Sequence, residues 1–93
     1  MNEEIKKNLL TLLKLDLGIT HNLRDAYFNT ILEGAKKELE RKGVFCNFLF
    51  ADDQMLIVDY AAWSYRKRQE NVPISRNLQI RINNRLIQNA GRY

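Results

Sequence analysis

Ninety-three residues and 11.0 kDa make a single domain, and 45% hydrophobic with 28% charged residues argues against a disordered tail. One cysteine, Cys46, excludes an intrachain disulfide framework or a cysteine-based zinc finger, and it fits a reducing compartment. The net charge of +4 is uneven: residues 1–63 sum to −2 and residues 64–93 to +6, which points to a polyanionic partner or an acidic protein surface.

The opening Met-Asn-Glu-Glu is acidic where a secretory leader is basic. The longest stretch without a charge, Gly43 to Ala51, has nine residues, against the ~20 of a membrane span. The expectation is a soluble intracellular chain with no membrane partner.

The spacing of Ile5, Leu9, Leu12 and Leu13 predicts a first helix over residues 2–14, with Glu3 and Glu4 at the positive end of its dipole. Gly18 is expected to stop it, and Thr20 or Asn22 to cap the next. Leu23, Tyr27, Ile31, Ala35 and Leu39 recur every four residues, flanked by Phe28 and Leu32. They predict a second helix over residues 21–42, braced by Glu33–Lys37 and Glu38–Lys42 and closed by Gly43. Gly34 in its middle is read as a site of close helix approach.

Residues 44–50 carry three phenylalanines and are read as a packed loop that tucks its aromatics under the bundle. Asp52 or Asp53 is expected to cap a third helix running to about Glu70. Nine of the eleven residues from Met55 to Tyr65 are apolar. Such a helix either runs through the bundle centre or is partly covered by another chain. Asn71, Val72 and Pro73 break the pattern. Ser75 then caps a fourth segment over residues 76–89, where helical steps of four compete with alternation and helix is preferred. Residues 90–93 are expected to fray. The fold class is therefore all-α: a small bundle of about four helices around an apolar third one. A three-helix core over residues 1–70 is followed by a basic segment over 71–93.

The inventory for chemistry is thin. His21 stands alone, Cys46 sits among phenylalanines that favour the neutral thiol, and the carboxylates are scattered. No phosphate-binding loop, nucleophile motif or metal-ligand spacing occurs, so neither an enzyme, a cofactor nor a small-molecule substrate is expected. Asp59, inside the apolar helix, must meet a cation or face water. Tyr60, Trp63 and Tyr65 are candidates for central packing or a subunit interface. Arg66, Lys67 and Arg68 end the third helix, which suits its dipole. With Arg76, Arg81 and Arg85 they would form a cationic surface matched to carboxylates or phosphates.

Three stretches resemble the small helical head–tail connector proteins of tailed bacteriophages and prophages. They are Leu-Lys-Leu-Asp-Leu-Gly-Ile-Thr (13–20), Ala-Lys-Lys-Glu-Leu-Glu-Arg-Lys-Gly (35–43) and Leu-Ile-Val-Asp-Tyr-Ala-Ala-Trp-Ser-Tyr-Arg-Lys-Arg (56–68). The resemblance runs from about residue 5 to 85. It implies a non-enzymatic helical bundle that joins the portal vertex as a ring after DNA packaging and prepares it for the tail. The partners it implies are the portal protein, identical neighbours (a dodecamer among the open stoichiometries) and a tail or stopper protein. Packaged DNA would pass through the ring, so the arginines would face either portal or channel. The place it implies is the host cytoplasm during assembly, then the virion neck. Asp59, Tyr60, Trp63, Tyr65, Arg66 and Arg68 fall in its central-helix block. Asn71, Pro73, Leu78 and Arg81 resemble the approach to a portal-contacting C-terminal region. The rival reading is a small helix-turn-helix DNA-binding regulator with Arg76 to Arg85 in its recognition helix.

Overall fold

A computed structural model describes residues 3–70 and 73–90. Four helices follow in chain order: α1 Glu3–Leu17, α2 Asp25–Arg41, α3 Ala51–Glu70 and α4 Arg76–Ala90, with no strand among the described residues. Expectations for Asn2, Asn71, Val72 and residues 91–93 lie outside the described residues.

Two glycines end the first two helices by one mechanism. At Gly18, with φ of 73°, the amide donates to the Leu15 carbonyl and the Ile19 amide to the Lys14 carbonyl. At Gly43, with φ of 94°, the same pair of bonds joins Gly43 to Glu40 and Val44 to Leu39. This paired closure needs a left-handed residue, which glycine adopts without a Cβ penalty. In each case the next residue turns back into the core: Val44 is fully buried and Ile19 partly so. The stop at Gly18 lets α1 run to Leu17, one turn past Lys14.

The start of α2 differs from expectation. The helix begins at Asp25 rather than at residue 21, and neither Thr20 nor Asn22 caps it; Arg24 holds the cap position without a side-chain bond. Lys14 explains this, because its ammonium donates to Asn22 Oδ1 at 2.8 Å and to Asp25 Oδ1 at 2.9 Å. The Asn22 side chain is thus committed to α1, and Leu23 is left 89% exposed, off the apolar stripe it was assigned to. Nor does Gly34 mark a close approach, since nothing lies within 4 Å of where its Cβ would be. The surface pairs also fall elsewhere: Lys6–Glu33, Lys36–Glu40 and Arg41–Glu38.

Helix α3 runs through the centre. Leu56, Ile57 and Val58 are buried in succession, as are Tyr60, Ala61 and Ala62, because α1, α2 and α4 pack around it. Of the two alternatives for this helix, enclosure within one chain accounts for the stretch from Leu56 to Ala62, while Met55 and residues 66–70 are exposed and Trp63, Ser64 and Tyr65 are half-buried. Leu9 and Leu13 of α1 and Phe28, Leu32, Ala35 and Leu39 of α2 complete the core. Helix α4 lies alongside α3 alone, capped by the Ser75 hydroxyl, which accepts from the Leu78 amide at 3.1 Å. It buries Leu78 and Ile82 at a helical step of four, which decides its periodicity for helix.

The loop at residues 44–50 departs most from expectation. Val44 is buried and Cys46 and Phe48 are half-buried, but Phe45, Leu49 and Phe50 are exposed at 65%, 83% and 61%. The loop backbone is tied down instead by polar bonds. Asn47 N–H donates to Asp53 Oδ2 at 2.6 Å, and Gln54 Nε2 donates to the Phe48 carbonyl at 2.6 Å. These bonds fix a conformation that points the large side chains outward.

Candidate assembly surfaces

The seam between α3 and α4 is built on an antiparallel register. Arg81 Nη1 lies 2.6 Å from Asp59 Oδ2, and Arg85 pairs with Asp53 one turn further along. Leu78, Arg81, Ile82, Arg85 and Leu86 share one face of α4, so the apolar residues and the two guanidinium groups reach α3 together. Asp53 is 2% exposed, and its carboxylate also accepts from the 44–50 loop. It therefore joins three parts of the chain: the loop, α3 and α4. The Asp53 hydrogen bond holds the Arg85 guanidinium above its ordinary pKa.

The proposed cationic surface is accordingly smaller than six groups. Arg66 Nη2 lies 3.2 Å from Asp16 Oδ2 at the end of α1 and 3.4 Å from the Asp16 carbonyl. Arg66, Arg81 and Arg85 thus each have a carboxylate in the same chain. Lys67 stacks over Trp63, with its ammonium 5.0 Å from the ring centroid. Arg68 and Arg76 are exposed and have no carboxylate within ion-pair distance among the described residues. Of the six candidates, those left open to a partner are Lys67, Arg68 and Arg76.

The aromatic candidates also divide. Tyr60 is core, 5% exposed, and burial raises its pKa, with the Glu38 charge adding to the effect. Tyr65 packs on Phe28 and Tyr27, with centroids 5.5 and 6.4 Å away, and Arg24 lies over the Tyr27 ring at 4.5 Å. Both are intrachain packing. Trp63 is half-buried, edge-on to Tyr60 at 5.3 Å, and its other side borders a cleft. That cleft, of about 240 Å³, lies between the end of α1, α3 and the start of α4. Ala62, Trp63, Pro73 and Leu78 form its apolar part, and the Asp16–Arg66 and Asp59–Arg81 pairs line it too.

Residue types with reactive potential are held quietly. Burial pushes the Cys46 thiol up to about 11, and the neighbouring Asp53 charge adds to this. His21 is exposed and accepts a bond from the Leu23 amide through Nδ1. Among the described residues no group of three or more His, Cys, Asp or Glu is placed to hold a metal ion, and no helix is long and apolar enough to cross a membrane. The exposed loop residues Phe45, Leu49 and Phe50 and the linking role of Asp53 were not anticipated from sequence. The same-face spacing of Arg81 and Arg85 with Leu78 and Ile82 was the available signal for the α3–α4 pairs. Searches against known protein families, curated proteins and solved structures found no match.

Proposed function

We propose that this chain is a head–tail connector subunit of a tailed bacteriophage or prophage. In this reading it acts by assembly: identical copies form a ring on the portal vertex after DNA packaging and present a docking surface to the tail. The observation that carries the reading is the 44–50 loop, where Phe45, Leu49 and Phe50 stand in solvent while the backbone between them is held at Asn47 by Asp53 and at Phe48 by Gln54. A small domain that fixes three large apolar groups outward on one loop has the anatomy of an interaction subunit. The Asp-Tyr-Ala-Ala-Trp block and the cations that follow it, on which the family resemblance rests, supply the second support.

The rival DNA-reading helix is less well supported. Arg81 and Arg85 spend their guanidinium groups on Asp59 and Asp53, which leaves Arg76 as the outward arginine of that segment. The decisive experiment mixes the purified protein with DNA-filled, tailless capsids that carry a portal. Co-sedimentation with the capsids, followed by acquisition of tails, is the expected result. Failure to attach, together with salt-dependent and sequence-selective binding of a free duplex, would replace this reading with the regulator.

A further inference from the structure

Two features at opposite ends of α3 fit one another but cannot meet within one chain. At the first end stand Phe45, Leu49 and Phe50, followed at once by the exposed carboxylate of Asp52. At the second end lies the cleft floored by Ala62, Trp63, Pro73 and Leu78. Beside it Lys67 lies over Trp63, and Arg76 stands between Ser75 and Asn77 of the lining; both are exposed, with no carboxylate within ion-pair distance among the described residues. Ala51 and Trp63 are twelve residues apart on one helix, about 18 Å at 1.5 Å per residue. No copy can therefore fill its own cleft with its own loop.

We infer that the 44–50 loop of one copy docks into the α1–α3–α4 cleft of the next. The occupant is a second copy of this chain, for two reasons of fit. The first is size: a dry cavity of ~150 Å³ holds a benzene ring, so about 240 Å³ admits a large apolar side chain such as Leu49, the most exposed of the three. The second is charge: Asp52 beside the loop is brought to Lys67 and Arg76 at the edge of the neighbour's cleft. Arg76 there stands in the first turn of α4, which has no acidic residue to answer the positive end of the helix dipole. An incoming carboxylate answers both charges at once.

The contact joins two different surfaces, so it is heterologous and propagates head to tail. A series of this kind closes into a ring when the rotation per copy divides a full turn, and otherwise runs on as a filament. The inference thus deepens the connector reading, on which it rests, by naming the two faces that meet between neighbours.

Directed cross-linking of the full chain tests it, in a Cys46→Ala background so that only introduced thiols react. Leu49→Cys and Asn77→Cys place one thiol on the loop and one at the cleft. Mixing the two proteins under mild oxidation is expected to give a crossed dimer that neither gives alone, and the double variant a ladder of multimers. Leu49→Cys homodimers in equal yield would overturn the inference, as would a protein that stays monomeric both alone and on capsids. A charge exchange gives a check that needs no thiol chemistry. Asp52→Lys or Arg76→Glu alone should weaken self-association at least tenfold by sedimentation, and combining them should restore it; no weakening by either overturns the proposal. Cysteine variants that attach to portals together without any crossed product remove this interface and leave the connector reading standing. Crossed product from a protein that never attaches does the reverse.

Discussion

The body formed by α1, α2 and α3 and the single helix α4 are held by different means. In the body each helix packs on the other two, and the centre is a run of fully buried aliphatic and aromatic groups around Ile57. Of the other helices only α3 packs on α4, which buries Leu78 and Ile82 and rests the half-buried Leu86 near Gly43. Its position along α3 is set by two carboxylate–guanidinium pairs. Burial is non-directional and scales with area, whereas an ion pair works only in one register. The body is thus stabilised by quantity of packing, and α4 is placed by geometry.

That contrast breaks if the two parts answer alike to truncation. Ile57→Ala, at 0% exposure in the centre, should cost about 2–5 kcal/mol and lower the midpoint of the whole unfolding transition. Ile82→Ala removes a similar side chain, but its loss should appear first as faster amide hydrogen exchange along α4, with the exchange of α2 nearly unchanged. Uniform acceleration in both helices would show one cooperative unit.

The Asp53–Arg85 pair sharpens the comparison next. A double-mutant cycle with Asp53→Asn and Arg85→Met should give a coupling of about 1.5–3 kcal/mol, because the carboxylate is buried and hydrogen-bonded to a charged partner. Gly43→Ala follows, at about 1–2 kcal/mol, since an L-residue is forced to a φ of 94°. The added methyl would also lie 3.2 Å from Leu86 Cδ2 on α4, so this one change strains body and arm together. Chemical denaturation measures both.

How much of this was legible in the sequence follows from the same physics. The four helices, the two glycine stops and the Ser75 cap depend on local periodicity and backbone conformation, which adjacent residues determine. The start of α2 was misplaced because Lys14, eight residues earlier, takes the Asn22 side chain from its capping role. The cationic surface was overcounted for a related reason. Composition shows Arg66, Arg81 and Arg85, but their partners Asp16, Asp59 and Asp53 are distant in sequence and appear only once α3 is flanked by α1 and α4. The outward loop was hidden too, since Phe45 and Phe50 read as core material until the backbone between them is seen tied at Asn47 to Asp53 and at Phe48 to Gln54.

A smaller effect should appear at high pH, where the half-buried Cys46 thiol reports on the place where loop, body and α4 meet. Burial raises it from 9.0 to about 11 in the folded chain. Between those values the unfolded chain loses the proton while the folded chain keeps it. Stability is therefore unaffected below pH 9 and falls as pH rises toward 11. Cys46→Ala should flatten part of that decline in thermal melts between pH 8 and 11. Tyr60, raised in the same direction, leaves a residual slope.

The smallest expected effect, the coupling of Asp59 to Arg81, separates placement from stabilisation. Both side chains are about one-third exposed, so water screens the 2.6 Å contact and holding two side chains in one geometry costs entropy. A cycle with Asp59→Asn and Arg81→Gln should return about 0.2–1 kcal/mol, shrinking as salt is raised. The pair still matters, because it lies on the wall of the cleft beside Trp63 and Leu78. If α4 owes its register to directional pairs, the double variant should keep its global melting point while Trp63 fluorescence shifts as α4 slides or loosens. An unchanged spectrum would show that Leu78 and Ile82 hold the register unaided, and α4 would then be packed as the body is.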